Sequence, residues 1–361
     1  MQLFNTKTIR RHLSEAQIPE AHRKPLNDWS EMIRSDRIYS LKETALHGQF
    51  TSTIVEGVLG YHGPVAGDTY TVSTEQSILG GSVDLALGKF GDGKPQIVAP
   101  LELKGAKTRD LDAIMPGRNK SPVQQAWEYA THAPGVKWVL VCNYLELRMY
   151  GFGEGTTAYE VFQLDRLTEP DEYARFMLLL SAENLLSGRV ADLLRESRRE
   201  DKDITDSLYN DYKKLRLELL AGIQEADPAL PGLEAIALAQ KVLDRVLFTA
   251  FAEDTGLLPQ NTLESAYEAQ DPYNPRPVWD NFKGLFRAID KGSETLKIPR
   301  YNGGLFREDP TIDSLTLSDD ICEGFKVLGG YDFASEVPVT VLGHIFEQSI
   351  ADVERLQAIA R

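Results

Sequence analysis

Between residues 82 and 104 lie two short segments, SVDLALGKF and PQIVAPLELK, separated by GDGK. Both are rich in aliphatic residues and too short for an ordinary helix, and GDGK is a tight-turn sequence. The pair reads as an antiparallel hairpin, so the second strand must return beside the first. Residues two apart in a strand share a face. Glu102 and Lys104 therefore project together while Leu103 turns into the core, and the return of the chain brings Asp84 toward Glu102. Charged residues inside such apolar strands need a reason, because burying them unpartnered is costly.

The flanks place this hairpin in a larger sheet. Residues 41–62 have helical spacing, with Leu41, Ala45, Phe50, Ile54, Val58 and Leu59 near one face, and Gly60 and Gly63–Pro64 stop the run. DTYTVSTE alternates as a strand ahead of the hairpin. SPVQQAWEYATHA is a helix with Ser121 as N-cap and Pro122 in the first turn. VKWVLVCNYL is a buried strand, and LRMYGFG and TTAYEVFQL continue the sheet. Residues 1–35 read as an irregular or partly helical arm. After Leu167 the chain turns helical, with the charged ESRREDKDITD as an exposed connection. The expected division is 1–165 as an α/β domain, its mixed sheet flanked by helices, and 166–361 as a mostly α-helical domain.

Charge bears on the partner. The 361 residues carry a formal net charge of −15, which by itself disfavours binding to phosphates. The acidity is uneven: residues 1–165 hold 17 Lys and Arg against 19 Asp and Glu, a net of −2, leaving −13 for the remaining 196. A whole-chain value therefore says little about a local face. Two cysteines, Cys142 and Cys322, make neither a disulfide framework nor a zinc site. The six histidines show no metal-ligand spacing. Gly88 to Lys94 begins like a phosphate-binding loop, but Pro95 stands where Ser or Thr is needed, and the stretch joins two strands. No membrane-length apolar run and no leader-like N-terminus are present, so a cytoplasmic protein is expected.

Two carboxylates converging at a strand end make an oxygen-rich site for Mg²⁺. Such an ion activates water and offsets charge on a phosphodiester, and a neighbouring lysine can hold the water or neutralise the phosphate. Asp84 with Glu102-Leu103-Lys104 resembles the PD-(D/E)XK nuclease superfamily, and the α-β-β-β-α-β order of residues 41–143 is similar to its core. Gln125 and Tyr129 resemble the Q-x-x-x-Y element of type I and related restriction nucleases. The resemblance implies a Mg²⁺-dependent endonuclease acting on double-stranded DNA, with Asp84 and Glu102 binding the metal and Lys104 assisting the water. Gln125 would support the site or contact DNA, and Tyr129 would help position it. It also implies a metal-approaching glutamate on the first helix, for which Glu43 is the first candidate and Glu56 the second. The following loop carries Lys107, Arg109, Arg118 and Lys120, suited to the DNA backbone.

The second half has its own resemblance. AQKVLDRVLFTAFAEDTGLLP, VWDNFKGLFRAIDKG, IPRYNGGLF and VTVLGHIFEQSI, within 235–350, are similar to the helical connector of type IIG and related restriction–modification enzymes. There the connector joins the nuclease to an adenine-specific DNA methyltransferase. The glycine-rich S-adenosylmethionine loop and the Asn-Pro-Pro-Tyr-like element of such a methyltransferase do not occur here. The expectation is an N-terminal fragment of a phage-defence enzyme, with the methyltransferase and target-recognition domains in cis and S-adenosylmethionine needed only there. The alternatives are a catalytically silent DNA-binding scaffold for a methyltransferase, and a nuclease of another defence or repair system.

Overall fold

The computed structural model describes residues 2–13, 17–78, 81–91, 93–301, 303–334, 337 and 339–360. Asp92 of the expected GDGK turn and Asn302 of YNGGLF lie outside the described residues. Two compact units divide the chain, Met1–Arg198 and Arg199–Arg361.

The first unit is mixed α/β. Helices α1 (Thr6–His12), α2 (Glu20–Arg34) and α3 (Glu43–Phe50) precede strands β1 (Tyr70–Ile78), β2 (Gly81–Phe90) and β3 (Gln96–Leu103). Then come α4 (Pro122–His132) and strands β4 (Trp138–Cys142), β5 (Glu146–Gly151) and β6 (Tyr159–Gln163). The six strands form one sheet in sequence order. Only β3 and β4 run parallel, with Glu102 opposite Val141; every other neighbouring pair is antiparallel. A parallel neighbour requires a crossover, and the segment from 104 to 137 with α4 supplies it.

The hairpin is as the sequence indicates: Leu85 pairs with Leu101 and Leu87 with Ala99. Glycine is required beside it at Gly91, where φ is +107° and a Cβ would meet the Asp68 carbonyl oxygen at 1.8 Å. Ser121 caps α4 reciprocally with Gln124, and Pro122 occupies its first turn. Helix α3 does not run on regularly to residue 62: Thr51–Glu56 widens into a π-turn, after which Val58 and Leu59 are still buried.

Two boundaries differ from expectation. Residues 1–35 are no arm. Leu26, Trp29 and Met32 are buried with the sheet's residues, Phe4 stacks on Trp138 at 6.1 Å, and Glu160 of β6 accepts the N–H groups of Leu3 and Phe4, each at 3.0 Å. The first unit also extends past 165. Helices α5 (Pro170–Leu180), α6 (Ala182–Ser187) and the start of α7 (Arg189–Ala226) send Phe176, Leu179, Leu185, Val190 and Leu193 into the same core. ESRREDKDITD does span the boundary between the two units, as a connection would, but it is helical, lying within α7. Only Glu196, Arg198, Arg199, Glu200 and Lys202 of its eleven residues are strong helix formers, so the run persists as helix through flanking apolar positions such as Leu193 and Leu208, each of which is buried in a core.

The second unit is helical. Besides the remainder of α7 it contains α8 (Gly232–Asp254), α9 (Thr262–Glu268), α10 (Val278–Lys291), α11 (Pro310–Ser314), α12 (Asp319–Gly329) and α13 (Val339–Ala360). Helix α8 is central, burying Val242, Leu243, Val246 and Ala250 among others. From it the fully buried Arg245 donates to the carbonyls of Leu305 and Arg307 at 2.9 and 2.8 Å, fixing the chain at the end of the YNGGLF segment. Among the described residues no helix is long and apolar enough to cross a membrane.

Candidate active site

The site is built at the shared end of β2 and β3. Asp84 Oδ2 accepts the backbone N–H of Leu103 at 2.7 Å. The next backbone N–H, that of Lys104, donates to Cys142 O of β4 at 2.8 Å. Leu103 is buried with the residues facing helices α2 and α3, whereas Val141, opposite Glu102, belongs to the core beneath α4. The two-residue period therefore directs Glu102 and Lys104 to the α4 side of the sheet.

Glu102 and Lys104 are 2% and 8% exposed, and Lys104 Nζ donates to Glu102 Oε1. The second oxygen, Glu102 Oε2, is buried without a hydrogen-bond partner among the described residues. Burial, and then the negative charge of Asp84, push the Glu102 carboxyl up to about 7, against the opposing pull of Lys104 and Arg118. A buried ion pair is weak evidence of stabilisation, since desolvation offsets much of the attraction. An unsatisfied carboxylate oxygen beside a second carboxylate is instead a donor arrangement that an added positive charge would complete.

The other candidates fall into two groups. Gln125 of α4 is buried; its Oε1 accepts from Arg118 at 3.2 Å and its Nε2 donates to Tyr129 Oη at 2.9 Å. Arg118, Gln125 and Tyr129 thus form one chain, and Arg118 also acts on Glu102 through its charge. Glu43 lies at the start of α3, and its Oε2 is 3.4 Å from where a Cβ on Gly105 would stand, placing the carboxylate against the residue after Lys104. Glu56 instead lies with its carboxylate against Gly63, 2.7 Å from where a Cβ there would stand. Of the loop cations, Lys107 is exposed, Arg109 lies over the Tyr39 ring at 5.3 Å and Lys120 pairs with Glu128. The loop is tied down by Asn143 Nδ2 to Thr108 O at 2.9 Å and by Arg148 to Asp112 at 2.7 Å.

The donor set suits a hard cation such as Mg²⁺, which binds through one or two carboxylates and keeps several waters. Asp84 and Glu102 would hold it, with Glu43 nearby. Among the described residues no group of three His, Cys, Asp or Glu side chains is gathered closely enough to hold a metal by itself. Nothing in the sequence spacing points to Tyr144, which the β4–β5 turn also brings to this end of the sheet.

Comparison with known proteins gives three likenesses. Residues 238–306, from α8 to the end of the YNGGLF segment, match the family model described as MmeI, helicase spacer domain. Over 186 residues the chain is 28% identical to a protein of Methanocaldococcus jannaschii named "Putative type II restriction enzyme and methyltransferase". That alignment takes in 43% of this chain and 14% of the relative, so the chain spans a small part of that protein's length. A solved structure titled as a DrdV–DNA complex aligns with 90% of this chain and 28% of its own at 13% identity and a TM-score of 0.27, too low to carry an argument.

Proposed function

We propose that the first unit is a Mg²⁺-dependent DNA endonuclease centre of the PD-(D/E)XK kind, within a restriction–modification enzyme of type IIG character. The observation that carries this reading is the placement of Asp84, Glu102 and Lys104 at one strand end, with a buried carboxylate oxygen left unpaired. The spacer-domain match at 238–306 and the relative named for restriction and methylation support the wider setting. In that setting the nuclease acts with an adenine-specific methyltransferase and a target-recognition domain.

Bound Mg²⁺ would supply Lewis-acid polarisation and an activated water. The chain's own residues do the rest. Asp84 and Glu102 fix the ion, and the Leu103 N–H holds Asp84 in place. Lys104, oriented by Glu102, carries the positive charge that meets the phosphodiester or positions the attacking water. The chain Arg118–Gln125–Tyr129 presents a guanidinium beside the carboxylates, where a phosphate group would lie.

A second reading is a DNA-binding module without cleavage, in which Lys104 Nζ, donating to Glu102 Oε1, neutralises the carboxylate in place of a metal ion. Calorimetric titration with Mn²⁺ and cleavage of supercoiled plasmid in Mg²⁺ separate the two. The nuclease reading expects binding and nicking that Asp84→Ala abolishes, and nicking that Lys104→Ala abolishes. Equal behaviour of wild type and both variants would sink it.

A further inference from the structure

Among the described residues, Tyr144 combines a positive φ with a buried side-chain hydroxyl that has no hydrogen-bond partner. Its φ is +67°, in the left-handed region that bulky residues avoid. It is fully buried, yet its Oη has no hydrogen-bond partner among the described residues. An unsatisfied buried hydroxyl and a strained backbone each cost free energy, and such costs collect where function requires them.

The fold holds this conformation firmly. The Tyr144 N–H reaches Cys142 Sγ at 3.2 Å, and the Tyr144 carbonyl accepts Trp29 Nε1–H at 3.2 Å. The ring packs against Phe50 at 5.6 Å and Trp29 at 6.4 Å. The turn between β4 and β5 sets Tyr144 at the end of the sheet already described. The Cys142 carbonyl, two residues earlier, accepts the Lys104 N–H, and the Glu43 carboxylate lies 3.4 Å from where a Cβ on Gly105, the next residue after Lys104, would stand. Helix α3 contributes both Glu43 and Phe50, so the helix that seats the Tyr144 ring also carries this carboxylate. Burial, followed by the charges of Cys142, Glu43 and Asp84, raises the phenol's pKa further, so the hydroxyl stays a donor. Asp84 already accepts the Leu103 N–H, and among the described residues no hydrogen bond or ion pair to Glu43 is found.

We propose that Tyr144 is a positioning residue for a divalent cation at this site, its Oη–H donating to the Glu43 carboxylate and orienting it toward the ion. The inference rests on the nuclease reading above and adds an outer contact to it. A hydrogen bond to a ligating carboxylate fixes its direction and tunes affinity, and losing such a contact costs about tenfold or more in metal binding.

The test is Mn²⁺ titration of the full chain by calorimetry, with thermal unfolding of the metal-free protein as a control. Tyr144→Phe keeps the ring and removes only the donor. It should weaken Mn²⁺ binding about tenfold without lowering the metal-free midpoint. Glu43→Gln, at an exposed position, should weaken it similarly, and the double variant should be no weaker than either single one. Additive losses, or Mn²⁺ affinity unchanged in Glu43→Gln, would overturn the proposal even if Tyr144→Phe folds poorly. Asp84→Asn separates the two readings. If it binds Mn²⁺ like wild type, the cation site itself is wrong and the Tyr144 role falls with it. If it abolishes binding while Tyr144→Phe does not alter it, only the Tyr144 role is lost.

Discussion

Asp84 Oδ2 accepts the N–H of Leu103, the residue between Glu102 and Lys104, at 2.7 Å. One hydrogen bond therefore joins the three charged residues of the site into a single geometry. It also gives Asp84 a structural role that a substitution can separate from its charge.

Asp84→Asn keeps an acceptor for the Leu103 N–H, and Asp84→Ala does not. The alanine variant should lose about 1–3 kcal/mol of stability, the usual cost of leaving a buried donor unmade. The asparagine variant should stay within about 1 kcal/mol of wild type. Both should lose Mg²⁺-dependent nicking. Urea unfolding beside a plasmid assay checks this, and equal stability of the two variants would show that the Leu103 contact does not hold the strand end.

Glu102 and Lys104 form a buried pair, so removing one partner strands the other. Lys104→Met should destabilise by about 3 kcal/mol, whereas Glu102→Gln/Lys104→Met should be less destabilised than the single lysine variant. A double-mutant cycle in metal-free buffer reads the coupling, expected to exceed about 1 kcal/mol. Strict additivity would mean that the pair does not interact in solution.

The hairpin and α4 were legible because their signals are local. Alternating aliphatic residues around a glycine turn, and Ser121-Pro122 opening a helix, each determine a structure within about ten residues of chain. The membership of the first core was not legible. Trp29 and Leu185 bury themselves against a sheet far away in sequence, and helical spacing shows which face is apolar without saying what covers it. The same limit applies to the site. Glu102 and Lys104 share a face by strand period alone, but the chain Arg118–Gln125–Tyr129 depends on how a 16-residue-scale loop folds back, and Tyr144 depends on a turn whose left-handed residue is neither Gly nor Asn.

Among the loop cations, Arg118 differs from its neighbours. It is exposed, held by Gln125 and close enough to influence Glu102, whereas Lys120 is paired with Glu128. If the loop tracks the DNA backbone, Arg118→Ala should lower the slope of log affinity against log salt by about 1. Lys120→Ala should change it less. Fluorescence anisotropy with a labelled duplex at several salt concentrations measures both slopes, and an unchanged slope for Arg118→Ala removes it from the phosphate contacts.

The second unit carries a pH-dependent element of its own. Glu253 of α8 is 3% exposed and accepts the Leu263 N–H at 3.1 Å. Burial pushes its pKa from 4.5 up to about 7; the Leu263 and Thr262 N–H groups pull it down, and Asp254 and Glu264 push it up again. A carboxyl whose pKa is raised in the folded state binds a proton more readily folded than unfolded. Its contribution is therefore fully present below about pH 4.5 and is lost as pH rises through about 7. The difference is on the order of 3 kcal/mol, from 1.36 kcal/mol per pKa unit. Glu253→Gln has no carboxylate to ionise and still offers an acceptor to Leu263. Relative to wild type it should be clearly more stable at pH 8 and lose that advantage at pH 4.5. Hydrogen exchange of the α8 amides at the two pH values, corrected for intrinsic rates, reads the local stability of this unit. A Glu253→Gln advantage that does not shrink toward acid pH would place the cause in something other than ionisation of Glu253.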